Sequence, residues 1–261
     1  MAGCPVARIK VDGQDATLEQ LSVAALAHYG HFTAMQVRDR RVRGLDLHLA
    51  RLDAANREMF GPGLDAGQVR ARIRHALGGA DTRDASVRVY VYEVPKGTSL
   101  MVTVRPPGAM QATPWRLQTV PYQRSLAHIK HMGDFGQSYF RRLARRNGFD
   151  EALLTGAGGE ITEGSITNAG FFDGAAVIWP SAPALHGITM QLVERTLPAF
   201  GMSSRRAPVH PADLGSFTAA FVTNSRGIAP VGQVDDRTLP PDGMLLGRLT
   251  EAYESTDWDR I

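Results

Sequence analysis

The sequence predicts a mixed α/β protein of the α+β kind, organised as two domains, and three observations predict it. Segments with apolar residues every three or four positions alternate with short runs rich in Val, Tyr, Leu and Thr. A Pro106-Pro107-Gly108 break interrupts that pattern near the middle. The 261 residues, 43% apolar and 21% charged, suffice for one large or two modest cores.

The elements follow in order. Residues from about Ser22 to His31 read as helix, and Phe32 to Val42 as strand with a turn at Asp39-Arg40-Arg41. Asp46 is placed to cap a helix whose apolar positions Leu49, Leu52, Ala55 and Met59 recur with helical spacing, and Gly61-Pro62-Gly63 ends it. A further helix runs from about Ala66 to Leu77 and stops at Gly78-Gly79. Val87 to Val94 and Ser99 to Val104 form a hairpin through Pro95-Lys96-Gly97-Thr98. Residues 1–108 are thus expected to be a small N-terminal α/β domain, 109–114 a linker, and 115–261 a larger C-terminal domain. In the latter, a strand at Arg116 to Pro121 precedes a loop carrying Lys130 and a helix from about Asp134 to Arg146 closed by Asn147-Gly148. Turns at Gly158-Gly159 and Asp173-Gly174 separate short strands, the second a hairpin signal. A helix from near Gly187 to before Gly201, more strands, and a last helix from about Asp242 to Tyr253 complete the reading.

Composition excludes several classes. No stretch nears the roughly 18 uninterrupted apolar residues of a membrane span, and Met1 to Asp12 holds no apolar signal core, so the expected location is cytoplasmic. The one cysteine, Cys4, rules out an internal disulfide and any cysteine-based zinc site, and no metal is expected. Net charge is only +3 despite a pI near 9.2. Arg141, Arg142, Arg145 and Arg146 cover one side of a helix and read as a solvated face, and no aromatic-interleaved basic strand suggests nucleic acid.

Chemistry concentrates in a few segments. Lys130, in His128-Ile129-Lys130-His131, is one of three lysines among 29 basic residues. A lysine acts as a covalent catalyst when its neutral amine is held against a carbonyl, a use arginine cannot replace. Arg51, in Leu47-His48-Leu49-Ala50-Arg51-Leu52, offers a permanently charged fork that matches phosphate. Glu163 stands in Gly159-Glu160-Ile161-Thr162-Glu163-Gly164-Ser165. Leu185-His186-Gly187-Ile188-Thr189 would present backbone N–H groups of Ile188 and Thr189 at a helix start, where anions are favoured. Asn224 and Ser225 lie in Phe221-Val222-Thr223-Asn224-Ser225-Arg226-Gly227.

Together with Gly30-His31-Phe32-Thr33-Ala34-Met35-Gln36-Val37 and Asp150-Glu151-Ala152-Leu153-Leu154, these segments resemble, in order and over most of the chain, the class IV (fold-type IV) pyridoxal phosphate-dependent aminotransferases. That family includes branched-chain and D-amino acid aminotransferases and aminodeoxychorismate lyase. The resemblance implies a fold-type IV architecture whose larger domain has a barrel-like β core and carries the lysine and most cofactor contacts. It implies pyridoxal 5'-phosphate as cofactor, Lys130 as the Schiff-base lysine, and Arg51 as a phosphate ligand. Glu163 would be the carboxylate facing the pyridine nitrogen, with Ile188, Thr189, Asn224 and Ser225 as further cofactor contacts. Homodimers, with a small-molecule amino donor and a keto acid acceptor, are also implied.

Two departures loosen any particular substrate assignment. The Arg-Gly pair of many relatives is replaced by Tyr92-Glu93, and the tyrosine often found five residues after the lysine is Phe135. His31 and Thr33 sit where the family lines its substrate pocket. Arg88 suits a substrate carboxylate and an outward strand position equally. The Phe32-Thr33 pair is similar to aminodeoxychorismate lyases, in which a threonine there assists the reaction. The expected activity is ping-pong amino transfer. The alternatives are a lyase-like β-elimination giving an aromatic amine and pyruvate, and a cofactor-free binding protein that keeps the fold.

Overall fold

The computed structural model describes residues 8–78 and 82–261; Cys4 and Gly79 lie outside the described residues. The chain divides into two compact units. The first holds residues 1–108, Ile129–Gly133 and Asp257–Ile261, and the second holds Ala109–His128 and Asp134–Thr256.

In the first unit the elements are β1 (Arg8–Val11), β2 (Gln14–Asp15), α1 (Leu18–Ala27), β3 (Gly30–Val37), β4 (Arg41–Arg43), α2 (Leu45–Phe60), α3 (Ala66–Leu77), β5 (Ala85–Val94) and β6 (Gly97–Arg105). A five-stranded antiparallel sheet runs β2-β1-β6-β5-β3. Because side chains alternate along a strand, one face presents Met35, Val37, Val87, Val89 and Val91 to Leu52 of α2 and to Ile73 and Leu77 of α3. The other face carries Tyr90, Tyr92 and Met101, with Met132 and α1 over them. The strand β16 (Trp258–Arg260), from the C-terminus, pairs with β4.

Several expected boundaries move for local reasons. α1 begins at Leu18 because Thr17 and Gln20 form a reciprocal capping box, and it ends where His28 turns left-handed, at φ 51°. The turn expected at Asp39-Arg40-Arg41 is present, with Asp39 and Arg40 both at positive φ, and it divides the segment into β3 and β4, β3 starting at Gly30. Asp46 lies inside the first turn of α2, whose N-cap is Gly44 in a left-handed conformation. α3 has the expected span, with Asp65 Oδ1 accepting from the Gln68 N–H and Gly78 ending it. In the β5–β6 hairpin, Val94 pairs with Gly97, so Pro95 and Lys96 form the turn.

The second unit contains β7 (Trp115–Pro121), α4 (Phe135–Arg146), β8 (Glu151–Thr155), β9 (Ile161–Gly164), β10 (Asn168–Phe172), β11 (Ala176–Pro180), α5 (Ile188–Thr196), β12 (Ser203–Ala207), β13 (Ala219–Asn224), β14 (Gly227–Val234), β15 (Arg237–Thr238) and α6 (Gly243–Glu254). Its nine-stranded mixed sheet runs β12-β11-β10-β13-β14-β7-β8-β9, with β15 beside β14. The parallel neighbours β7 and β8 are joined through α4, as a parallel pair requires a crossover. One face packs Trp115, Leu117, Leu153, Phe171 and Val222. The other packs Trp179 and Phe221 edge-to-face, at 5.2 Å and 80°, against Met190 and Val193 of α5 and Leu245 and Leu249 of α6.

The arginine face of α4 departs from expectation at one position. Arg142, Arg145 and Arg146 are exposed, but Arg141 is half-buried and burial lowers its pKa, an effect partly offset by Glu151. Among the described residues no helix is long and apolar enough to cross a membrane.

Candidate active site

Lys130 belongs to the first unit because its backbone extends the sheet. The Phe32 N–H donates to Lys130 O at 2.8 Å, the Met132 N–H donates to Gly30 O at 2.8 Å, and His31 and His131 form an antiparallel bridge. Strand-like pairing thus holds a short segment beside β3 from a distance of about a hundred residues in the chain. Lys130 Nζ lies 4.8 Å from the centre of the Phe32 ring. Tyr90 stacks on the same ring at 5.2 Å, and the Arg88 guanidinium, 5.7 Å from it, donates to the Tyr90 hydroxyl at 3.2 Å. Arg88 is therefore grouped with Lys130 around Phe32.

His31 and Thr33 alternate with Phe32 and face α2 instead. His31 is buried, 3.4 Å from Asn56 Oδ1 and beside the Phe60 ring. Burial lowers its pKa to about 4, so the ring is neutral in ordinary buffer. Thr33 is wholly buried; its hydroxyl lies 2.6 Å from His48 Nδ1 and accepts a short hydrogen bond from Arg51 Nη2. His48 and Arg51 share a face because three residues make nearly one helical turn. Burial, reinforced by the positive charges of Arg51 and Lys130, pushes the His48 pKa well down. Arg51 keeps part of its surface, yet burial lowers its pKa to about 10. Its Nε is shut away from solvent with no hydrogen-bond partner among the described residues. No carboxylate among the described residues pairs with it. A guanidinium in that state is short of an anion.

The second unit solves its buried charges differently. Glu163, on β9, accepts from Arg124 Nη1 at 3.0 Å and from the Leu185 N–H at 3.2 Å. Arg124 also donates to Ala127 O at 3.0 Å. Asn168 Nδ2 holds Leu185 O at 2.6 Å, bracing the segment that presents the Leu185 amide. Gly187 follows, where a Cβ would collide with the Asn168 amide oxygen. α5 starts there with Gly187 as N-cap and no side-chain cap, which leaves first-turn N–H groups, Ile188 and Thr189 among them, without intrahelical acceptors. The Thr189 hydroxyl donates to Asn224 O at 2.7 Å, tying the helix start to the turn at Ser225-Arg226 between β13 and β14. Asn224 Oδ1 accepts from the Arg226 N–H at 2.8 Å.

Behind Glu163 lies a second buried acid. Glu151 Oε1 accepts from the Ile166 N–H at 2.7 Å and from the Ser165 and Thr167 hydroxyls at 3.2 Å each. Gly164 is required in this turn, because a Cβ would run into Thr167 Oγ1 and the Glu151 carboxylate. Burial raises the Glu151 pKa, and these donors counter the rise.

The sequence reading missed two side chains, His48 and Arg124. His48 stood in the quoted helix, but its partner Thr33 is on another element. Arg124 lies 39 residues from Glu163, with no local pattern to mark it. Phe135, five residues after the lysine, is exposed and stacks with Tyr139.

Known structures share this fold. The branched-chain amino acid aminotransferase of Escherichia coli is 18% identical with a TM-score of 0.83, the match covering 96% of this chain and 94% of that one. A hypothetical aminotransferase from Mycobacterium tuberculosis in its PLP-bound form is 20% identical with a TM-score of 0.83, covering 95% and 98%. A putative 4-amino-4-deoxychorismate lyase from Legionella pneumophila is 17% identical with a TM-score of 0.83, covering 90% and 93%. No curated protein sequence matches the chain. At these identities the structures establish a common fold, the mixed α/β fold-type IV architecture with its curled half-barrel sheet. The sequence model of amino-transferase class IV matches residues 30–234, most of the chain, and the protein therefore belongs to the class IV aminotransferases.

Proposed function

We propose that this enzyme is a pyridoxal phosphate-dependent aminotransferase that moves an amino group between an amino acid or amine and a keto acid. The observation that carries the reading is Arg51: a half-buried cation with no acid paired to it among the described residues, in the same unit as Lys130. A phosphate-bearing aldehyde satisfies both residues, the phosphate at Arg51 and the aldehyde at the lysine amine. The first-turn amides of Ile188 and Thr189, and the Asn224-Ser225 turn, supply the other donors proposed for the phosphate.

Bound pyridoxal phosphate supplies a carbonyl for covalent attachment and a ring that withdraws electrons from the substrate's Cα. The chain's residues do the rest. Glu163, which accepts from Arg124 and the Leu185 amide, would offer a carboxylate acceptor to a ring N–H. Lys130 Nζ would be the group that attaches the aldehyde and that takes up and gives back the proton of substrate Cα. Phe32, with Tyr90 stacked on it, limits where that amine can swing. Arg88 is the proposed partner of a substrate carboxylate, within the group that surrounds Phe32.

The lyase alternative uses the same lysine. Thr33 favours transfer: its hydroxyl is wholly buried and hydrogen-bonded to His48 and Arg51. The reading extends to a cytoplasmic homodimer, which sedimentation checks as a species of twice the 28.3 kDa chain mass. Product analysis separates the reactions. Transfer predicts that amino acids convert the bound cofactor to its amine form and that added keto acid converts it back. Pyruvate released with no acceptor present would establish the lyase instead.

A further inference from the structure

His48, in the polar seam between β3 and α2, has no part in the chemistry above. Around it the sheet face packs Val87, Val89 and Val91 against the helices, with His31 and Asn56 as a second buried polar pair. Into it the chain places Thr33, His48 and Arg51, a hydroxyl, an imidazole and a guanidinium, with no carboxylate among the described residues to neutralise them. Burying three polar groups costs stability unless each is hydrogen-bonded, so their arrangement needs a reason.

Proton accounting gives one. Arg51 has only donors, so the Arg51–Thr33 contact uses a lone pair of Thr33 Oγ1. The Thr33 proton must then point elsewhere, and His48 Nδ1 lies 2.6 Å away. The Thr33 hydroxyl thus bridges the two side chains: one lone pair takes the Arg51 proton, and the other side of the oxygen meets His48 Nδ1. Imidazole, hydroxyl and guanidinium form one hydrogen-bonded chain in which His48 fixes the hydroxyl that Arg51 grips.

We infer that His48 is a positioning residue for anion binding: through Thr33 it holds Arg51 Nη2, and so fixes the orientation in which the guanidinium meets the phosphate group of the bound cofactor. The inference rests on the pyridoxal phosphate reading and adds to it a role for two side chains that need not touch the ligand. It also gives Thr33 a duty separate from the substrate. A merely space-filling His48 would predict something different: its loss would loosen the whole unit and weaken every ligand alike.

The test compares apoenzyme affinity for pyridoxal phosphate with affinity for pyridoxal, which has the aldehyde and lacks the phosphate. His48→Ala is expected to weaken pyridoxal phosphate binding about tenfold, the scale of one lost hydrogen bond at a charged group, and to leave pyridoxal binding unchanged. His48→Asn, whose amide oxygen can accept near the Nδ1 position, should restore most of the loss. Thr33→Val should reproduce the His48→Ala phenotype, and the double variant should bind no worse than either single one, because both break the same chain. Should His48→Ala fail to fold, judged by circular dichroism and thermal melting, Thr33→Val and Thr33→Ser carry the same comparison, with serine expected to bind as threonine does. Equal loss of both ligands, or additive losses in the double variant, overturns the inference while leaving the cofactor reading intact. A wild-type protein that binds neither aldehyde, or binds both equally, refutes the cofactor reading itself and the inference with it.

Discussion

The two units bury charge in opposite ways. In the first, Arg51 stands with no acid among the described residues, and His31 and His48 are kept neutral by burial. In the second, the buried acids have donors: Glu163 has Arg124 and the Leu185 amide, and Glu151 Oε1 has one backbone amide and two hydroxyls, while its Oε2 has no hydrogen-bond partner among the described residues. A compensated charge can be explained by the fold alone. Arg51 differs from buried Arg124 in having no carboxylate among the described residues, and that missing acid is what the proposed phosphate would supply. The comparison separates a cation that lacks a counter-charge from an acid that has one before any ligand binds.

The largest expected effect lies on the compensated side. Glu163→Ala leaves Arg124 buried without its acid, and denaturant unfolding of the apoprotein should show a loss of about 3–5 kcal/mol. Replacing Arg124 and Glu163 together by Met should recover most of that loss. A small effect of the single change would mean that the pair does not brace the fold.

Acid should act next, with opposite signs in the two units. The folded pKa of His31, about 4, lies below its unfolded value near 6.5, so the unfolded chain takes up the proton first. Its stabilising contribution is complete above about pH 6.5 and falls as pH drops toward 4, by about 2 kcal/mol at pH 5. His48 shares that direction. Glu151, whose folded pKa is raised, contributes stability below its unfolded value that is lost as pH rises through the folded one. Stability of wild type minus His31→Gln, measured from pH 7 to pH 5, isolates the histidine. A flat difference would contradict its burial in neutral form.

The smallest stability effect belongs to Arg51. Arg51→Met removes a charge that no described acid balances, so apoprotein stability should change by less than about 1 kcal/mol, or rise. Pyridoxal phosphate affinity should nonetheless drop sharply in the same variant. A loss of stability as great as that of Glu163→Ala would place Arg51 among the architectural residues and erase the contrast.

The sequence shows elements fixed by local chemistry better than contacts made over distance. α3 was legible from its apolar spacing and the glycine that stops it, and the β5–β6 hairpin from a turn flanked by Val and Tyr runs. α1 was misplaced because a Thr-x-x-Gln box outweighs the weak apolar pattern that follows. The family motifs point to Lys130, Arg51 and Glu163 as single positions, and their roles are part of the proposed function. Their environment was not legible: Arg124, His48 and Asn56 acquire their partners only when strands and helices pack. The strand-like seat of Lys130 against β3 likewise depends on backbone pairing across about a hundred residues, which no local pattern encodes.

The central claim concerns the Lys130 amine, and chemical trapping tests it most directly. Purified protein is mixed with pyridoxal phosphate, reduced with borohydride, digested, and its peptides weighed by mass spectrometry. The account predicts one reduced cofactor per chain, on the peptide containing Lys130, and none in Lys130→Ala. Label spread over Lys10 and Lys96, or unchanged in Lys130→Ala, would contradict it.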